Sequence, residues 1–372
     1  MSLIAGGACT FSKRPDQYIQ GVTGPTCKSM TGHTFSDGVS DLRDTTGALG
    51  ALLGSCSDGI MPLPSYMEEV LAKALVERIP CIEMVRYMLN GGDATTAALR
   101  YARAYTGRPE ILYTGYHGCS GEYTYNTPPA KGCVNGHCLK MDTIEGLIAM
   151  LEADPTDVAA VIIEPIELDL DVRDKLEALR MMCTDTGVVL IFDCIITGGR
   201  VPHLTVANWY GIKPDLICLG KALGGGYPLS ILGGRRDIMQ DEEVFISYTF
   251  AGFPPSLDRA YKMLCELTDD HLQAWWDRCD ALRKAINVLP YDLKIHGYAT
   301  RGTWVGPDRI KYLYWQEMHD RGWHIGRPWF PRYDWPEQFY VDFFEDTKKS
   351  LGRIRGGKVK HRGTWPKELF KR

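Results

Sequence analysis

No apolar run reaches about 18 residues, so the sequence offers no transmembrane helix. Residues 1–15 lack a basic start followed by a long apolar stretch, and no secretory signal is expected. Metal-ligand spacing is almost absent. The nearest approach is Cys133-Val134-Asn135-Gly136-His137-Cys138, and no second ligand pair accompanies it, so no metal site is expected. The 12 cysteines lack the spacing of a disulfide scaffold, which leads us to expect reduced thiols in a cytoplasmic protein. Charge of either sign is not in large excess, the net value being −4. That small value hides an asymmetry. The stretch 347–372 holds ten Lys or Arg and one acid, Glu368, which leaves the remainder of the chain at −13. Such a stretch reads as a solvated tail or as a contact for a polyanion, and the solvated reading is the expectation.

What is present is a chain of 372 residues with 45% hydrophobic content, enough for one or two domains with a large core. Ser65 with Glu68 three residues on has the pattern of a capping box, and Val70, Leu71, Ala74, Leu75 and Ile79 give the helix after it an apolar stripe. Apolar strands are expected at Met84–Leu89, Glu110–Tyr113, Val158–Ile163, Val188–Phe192 and Leu216–Leu219, alternating with helices. Continuous apolar strands of this kind belong to a parallel sheet covered on both faces. Ligands of such sheets bind beyond the carboxyl ends of the strands. Asn90-Gly91-Gly92, Tyr116, Glu164, Asp193 and Lys221 all fall just after expected strands.

Each has its own chemistry. The helix beginning after Asn90 starts with unpaired amides, a ready anion site. Tyr116 offers a flat ring for stacking, beside His117. Asp193 follows an unbroken apolar run, so it is expected to be buried and to need a partner, either a bound cation or a neighbour such as Arg200. Lys221 ends an apolar strand and is followed by Gly224-Gly225-Gly226. Burial at a strand end lowers a lysine pKa and frees the amine as a nucleophile. By itself the stretch reads equally as a surface lysine before a flexible turn. Thr249-Phe250-Ala251-Gly252 precedes a helix from Ser256, and the chain is expected to be helical from Ala260 to Asn287. Beyond it the segments are short and rich in Trp, Tyr and Pro, which suggests a second, smaller domain.

Taken together these motifs resemble the class III aminotransferases of pyridoxal-phosphate (PLP) fold type I, especially the glutamate-1-semialdehyde aminomutase branch. The resemblance covers about residues 45–260 and rests on Asn90-Gly91-Gly92-Asp93-Ala94-Thr95, Tyr116-His117-Gly118, Ile163-Glu164-Pro165, Ile191-Phe192-Asp193, Pro214-Asp215-Leu216 through Gly226, and Thr249-Phe250-Ala251-Gly252. It implies an α/β fold: a large domain (45–258) with a mostly parallel sheet flanked by helices, a smaller α+β domain (1–44 and 259–346) and a basic tail (347–372). It also implies that Lys221 carries pyridoxal 5'-phosphate as a Schiff base. Gly91 and Gly92 would hold the phosphate, Tyr116 and Ile195 the ring faces, and Asp193 the pyridine nitrogen. His117 and Glu164 would line the cofactor, and Thr249 would reach the cofactor phosphate of a second subunit in a homodimer. The chain departs from the family at Cys194, where a glutamate is usual, at Gly92, where a hydroxyl residue is usual, and at Ile166-Glu167-Leu168-Asp169.

The implied activity is amino-group transfer or a 1,2-amino shift on a small amine or amino acid. The alternative is PLP-dependent decarboxylation or a related tailoring step on an amino-acid-modified nucleobase in DNA, for which the basic tail would supply the nucleic-acid contact.

Overall fold

The computed structural model describes residues 19–23, 26–29, 34–37, 66–118, 138–166, 172–241 and 244–362. The chain divides into two units, Leu49–Asp277 with Pro366–Arg372 and Met1–Ala48 with Arg278–Trp365. It opens with strands β1 (Ile19–Thr23), β2 (Thr26–Ser29) and β3 (Thr34–Asp37). Next come α1 (Tyr66–Arg78), β4 (Met84–Met88), α2 (Gly91–Thr106), β5 (Glu110–Tyr113), β6 (Cys138–Lys140), α3 (Ile144–Ala153) and β7 (Val158–Ile163). Then follow α4 (Arg173–Thr186), β8 (Val189–Cys194), α5 (Val206–Tyr210), β9 (Leu216–Gly220), a 3-10 turn at Lys221–Gly224, β10 (Ser230–Gly234) and α6 (Arg236–Met239). The helices α7 (Pro254–Glu266) and α8 (Asp269–Asn287) lead to β11 (Lys294–Tyr298), β12 (Arg301–Val305), α9 (Asp308–Asp320), β13 (Trp323–His324), β14 (Pro328–Trp329) and α10 (Glu337–Arg355).

The larger unit is built on a seven-stranded sheet in the order β4-β10-β9-β8-β7-β5-β6. Every residue of β7, β8, β9 and β10 is buried, which is why the first three read as apolar runs. The sheet is mixed: β10 runs antiparallel to both β4 and β9, and the remaining pairs are parallel. Helix α2 lies on the sheet through small residues, Ala94, Ala97, Ala98 and Ala102, which let it approach closely. Helix α7 packs on α1 and on the 3-10 turn, so it belongs with the large unit. The boundary therefore falls inside α8, later than residue 258. The expected continuous helix is two helices, α7 and α8.

The edge of the sheet away from the strand ends is fastened by Asp215. Its carboxylate accepts from the Leu190 amide at 2.8 Å, Arg180 at 2.7 Å and Arg235 at 2.7 Å. Its own amide donates to the Leu190 carbonyl at 2.8 Å, and its carbonyl accepts from the Arg235 amide at 3.0 Å. One buried residue thus ties β8, β9 and the end of β10 together.

The smaller unit has two sheets, β1-β2-β3-β13 and β11-β12-β14. Its tryptophan-rich segments pack between helices rather than remaining short and irregular. Trp323 meets Phe343 edge-on at 5.0 Å and Trp335 at 5.7 Å, and the buried Tyr314 hydroxyl meets Thr347 Oγ1 at 2.8 Å, joining α9 to α10. Helix α10 runs straight through residue 347, where the basic stretch begins. Arg353 donates to the buried Glu317 at 2.8 Å, and Arg362 donates to Asp320 at 2.6 Å. The Lys360 carbonyl and Arg362 amide both bond the Gln316 side chain. Two residues of the basic stretch, Arg353 and Arg362, are thus held to acids of α9; residues 363–372 lie outside the described residues.

Among the described residues no helix is long and apolar enough to cross a membrane, and no group of His, Cys, Asp or Glu is placed to hold a metal ion. Of the Cys133–Cys138 segment, only Cys138 is described.

Replacing Asp215 with Ala should lower stability by about 2–4 kcal/mol, because it orphans the buried Leu190 amide and takes a carboxylate from Arg180 and Arg235. Urea unfolding followed by circular dichroism measures this, and Asp215→Asn, which keeps one acceptor, should fall between the two.

Candidate active site

Strand register decides which residues meet. Ser230, the first residue of β10, lies opposite Met88 of β4 and Gly220 of β9. Asn90 and Lys221 therefore leave the same edge of the sheet, two strand spacings or about 10 Å apart. The Ser230 hydroxyl donates to the Asn90 carbonyl at 2.6 Å. One strand over, Asp193 lies opposite Cys218, three residues before Lys221. Glu164 and Thr114 follow β7 and β5 at the same edge.

The turn at Asn90 begins α2. Asp93 folds back, its carboxylate accepting from the Asn90 amide at 3.1 Å and side chain at 3.0 Å. The Asp93 amide turns back to the Asn90 carbonyl at 3.0 Å, and the two before it, of Gly91 and Gly92, have no carbonyl one turn earlier to pair with, which makes the helix start an anion site. The backbone is packed tightly around it. A Cβ on Gly118, whose φ is 115°, would stand 3.0 Å from the Gly92 Cα. The Thr95 hydroxyl is committed to the His117 carbonyl at 2.7 Å and the Gly92 carbonyl at 3.1 Å. Beside this turn Ile195 is wedged between two glycines. A Cβ on Gly91 would meet its Cγ2 at 2.9 Å, and one on Gly220 would meet its Cδ1 at 3.2 Å.

Asp193 is 6% exposed. Its Oδ1 accepts from the Ile195 amide at 3.0 Å, and its Oδ2 lies 2.7 Å from His117 Nδ1. The sequence suggested a bound cation or, failing that, a neighbour such as Arg200. The observed one comes from 76 positions away, and Arg200 donates instead to the Ile196 carbonyl. His117 Nε2 is 2.6 Å from the Thr114 carbonyl. His117 thus faces Asp193 and the backbone, and its side chain is wholly buried. Two thiols share this layer, and burial pushes both Cys194 and Cys218 well above the ordinary thiol range, so they stay neutral.

Lys221 differs from the expectation of burial: its side chain is exposed. The reason is local. Ala222, Leu223 and Gly224 take the buried positions of the turn that follows, and Lys221 is turned outward. Its φ of 44° is in the left-handed region, a strained conformation for a residue with a Cβ. Behind the turn stands Arg259 of α7, a buried residue that sequence reading passed over. Its Nε contacts the Gly225 carbonyl at 3.4 Å, and it pairs with Glu266 at 3.3 Å. At Gly225 a Cβ would stand 2.6 Å from Arg259 Nε. Tyr116 is 48% exposed and Glu164 half-buried. Thr249 is exposed in a segment whose aromatics Phe245, Tyr248 and Phe250 are also exposed. Glu167 lies outside the described residues.

Ser230 and Arg259 carried no signal in the sequence, and Thr95 was read only as part of the motif after Asn90. Ser230 is embedded in Pro-Leu-Ser-Ile-Leu, a run without punctuation.

Comparison with known proteins bears on what this edge does. Residues 60–286 match the family described as aminotransferase class-III. A glutamate-1-semialdehyde 2,1-aminomutase of Halalkalibacterium halodurans is 33% identical over 303 residues, which is 74% of this chain and 68% of that protein. One from Chlorobium phaeobacteroides is 37% identical over 232 residues, 56% of this chain and 54% of that protein. In fold, the chain matches a transaminase with PLP bound (TM-score 0.84, 21% identity, 96% of each chain) and an omega-transaminase from Sphaerobacter thermophilus (TM-score 0.81, 22% identity, 95% of each). The chain belongs to the class-III aminotransferase family, PLP-dependent enzymes of fold type I that act through a lysine Schiff base.

Proposed function

We propose that Lys221 is the Schiff-base lysine and that the enzyme transfers an amino group, or shifts it between adjacent carbons, on a small amine or amino acid. The observation that carries this is the placement of Lys221, Asp193 and the first turn of α2 on one sheet edge. The cradle suits the cofactor: glycine backbone where a phosphate must come close, a buried carboxylate for the pyridine nitrogen, and Ile195 held as a flat support between Gly91 and Gly220. When bound, the cofactor supplies an aldehyde and an electron-accepting ring.

The residues then divide the work. Lys221 Nζ would hold the cofactor through its aldehyde and, when free, would take and return the proton at the amino-bearing carbon of the substrate. Asp193 keeps a proton on the pyridine nitrogen. The amides of Gly91 and Gly92 hold the phosphate without help from a side-chain hydroxyl, since Gly92 has none and Thr95 is committed elsewhere. Tyr116 would cover one ring face and Ile195 the other, and Glu164 would line the cofactor. The exposed segment with Phe245, Phe250 and Thr249 supports a homodimer in which Thr249 reaches the second subunit's phosphate. The alternative, a tailoring enzyme acting on modified DNA, asks for free basic charge. The pairing of Arg353 and Arg362 with Glu317 and Asp320 removes part of that charge, so the amino-group reading is preferred.

Four tests follow. Lys221→Ala should abolish the visible absorbance of the bound cofactor and all turnover. Mass spectrometry of products should show amino exchange or migration; loss of carbon dioxide without any acceptor would overturn the transfer reading. Gly91→Ala should destabilise the cofactor-free protein by about 1–3 kcal/mol by pushing on Ile195, and Ile195→Ala in the same chain should recover most of it, read as thermal midpoints. Sedimentation velocity should show a dimer, and Thr249→Ala should weaken cofactor binding by about tenfold, the loss of one charge-assisted hydrogen bond.

A further inference from the structure

The larger unit holds a cavity of about 340 Å³ at the edge of the sheet opposite the one that carries Lys221. Its walls come from the starts of β8 and β9, the end of β10, the segment before β4, and helices α2 and α4. The five residues of β9 separate Asp215 on this edge from Lys221 on the other. At about 3.3 Å per residue the two stand about 20 Å apart, so a small ligand in this cavity does not touch Lys221. The volume is at the lower end for ligand pockets and suits a molecule of few heavy atoms.

Charge is left over in it, and of both signs. Arg235 is fully engaged by Asp215, Asp237 and the Tyr105 hydroxyl. Arg180 is held by Asp215 through Nη1 at 2.7 Å and by Thr184 through Nε at 3.2 Å, while its Nη2 meets no acceptor among the described residues. The Lys213 ammonium pairs with no described carboxylate, and its charge is felt at the Cys81 thiol, on the β4 side of the cavity. Glu83, two residues on from Cys81, is the leftover acid. Its Oε2 accepts from the Arg236 amide at 2.9 Å, and no described cation pairs with it. The Glu83 amide donates to the Gly234 carbonyl, and the next residue, Arg235, bonds the backbone of Asp215. Glu83 and the Lys213–Asp215 segment are therefore two strand spacings, about 10 Å, apart. Much of the remaining wall is apolar, with Pro80, Val188 and Pro214 beside Cys81 and Cys183. Burial pushes both thiols up to about 12, so they add no charge.

We propose that this cavity is a second ligand site, taking a small apolar amino acid as its zwitterion, with the carboxylate against Lys213 and Arg180 Nη2 and the ammonium against Glu83. A simple anion would leave Glu83 uncompensated, and a simple cation would leave Lys213 and Arg180 so. One molecule that carries both charges answers all three, and the apolar wall takes its side chain. Asp215 already fixes Arg180 in the folded chain, so binding does not have to order that guanidinium. The site is independent of the assignment of Lys221.

Calorimetric titration of the full chain, loaded with its cofactor, tests this with L-valine as the probe. 3-Methylbutanoate and 2-methylpropylammonium have the same branched shape and one charge each. Lys213→Ala and Glu83→Gln should each weaken the L-valine component by about tenfold, the loss of one charge-assisted contact. Lys213→Arg, which keeps the charge, should stay within about threefold of wild type. The two singly charged probes should bind at least about tenfold more weakly than L-valine at the component that Lys213→Ala removes. Both positions are exposed, and glutamine at 83 still offers an acceptor to the Arg236 amide, so the variants should keep the fold and the visible absorbance of the bound cofactor. These positions lie far from Lys221, so a component lost with them belongs to this cavity and not to the cofactor site. L-valine binding that is absent in wild type, or indifferent to both Lys213→Ala and Glu83→Gln, would overturn the proposal. So would 3-methylbutanoate binding as tightly as L-valine, which would mark a plain anion site.

Discussion

A single reversed strand holds the active edge in order. Strand β10 runs against both of its neighbours, and its first residue, Ser230, sits between the ends of β4 and β9. The turn that begins α2 and the turn that carries Lys221 are therefore placed by the same residue. A slip of one position in β10 would move each by about 3.3 Å and exchange the faces of every side chain in the strand. The register is held at both ends. At one, the Ser230 hydroxyl bonds the Asn90 carbonyl; at the other, Asp215 bonds the Arg235 amide and guanidinium.

The site also contains local costs that this order has to carry. Lys221 at φ 44° is a conformation worth about 1–3 kcal/mol of strain. Arg259 is a buried cation whose neutralising partner, Glu266, is itself half in solvent. The two features are linked: Arg259 fills the space beneath Gly225 and bonds its carbonyl, so the turn that strains the lysine rests on a charged support. Such features occur where a surrounding framework over-determines the backbone, and here the framework is the all-buried core of β7 to β10.

Much of the framework was readable in the chain. The strands Glu110–Tyr113 and Val158–Ile163 fall where their apolar runs begin and end, because strands buried on both faces leave no polar alternation to blur them. Asp193 and Lys221 stood out because polar residues at the ends of such runs are conspicuous. Other parts depend on distant neighbours. Strand β10 was missed because it follows three glycines and itself ends in two, and so reads as a continuing loop. The partner of Asp193 could not be chosen between a near arginine and a far histidine without the β5–β7–β8 pairing. The exposure of Lys221 depends on which residue of a short 3-10 turn points inward. Helices α9 and α10 were obscured by aromatic and proline-rich composition, and Arg353 of α10 and Arg362 beyond it looked unpaired because Glu317 and Asp320 lie more than thirty positions earlier.

The wedge formed by Ile195 and its two glycines has a consequence for how this sequence is able to drift. A side chain at position 91 needs a smaller residue at 195. A larger residue at 195 needs both glycines to remain, and position 220 is further held by the Leu229 carbonyl, 3.1 Å from where its Cβ would stand. Three positions on three separate elements are thus a single heritable unit, open to paired change at 91 and 195 and nearly closed at 220. Among descendants of this chain, a branch that altered the support beneath the ring would carry its record at residue 91, more than a hundred positions away.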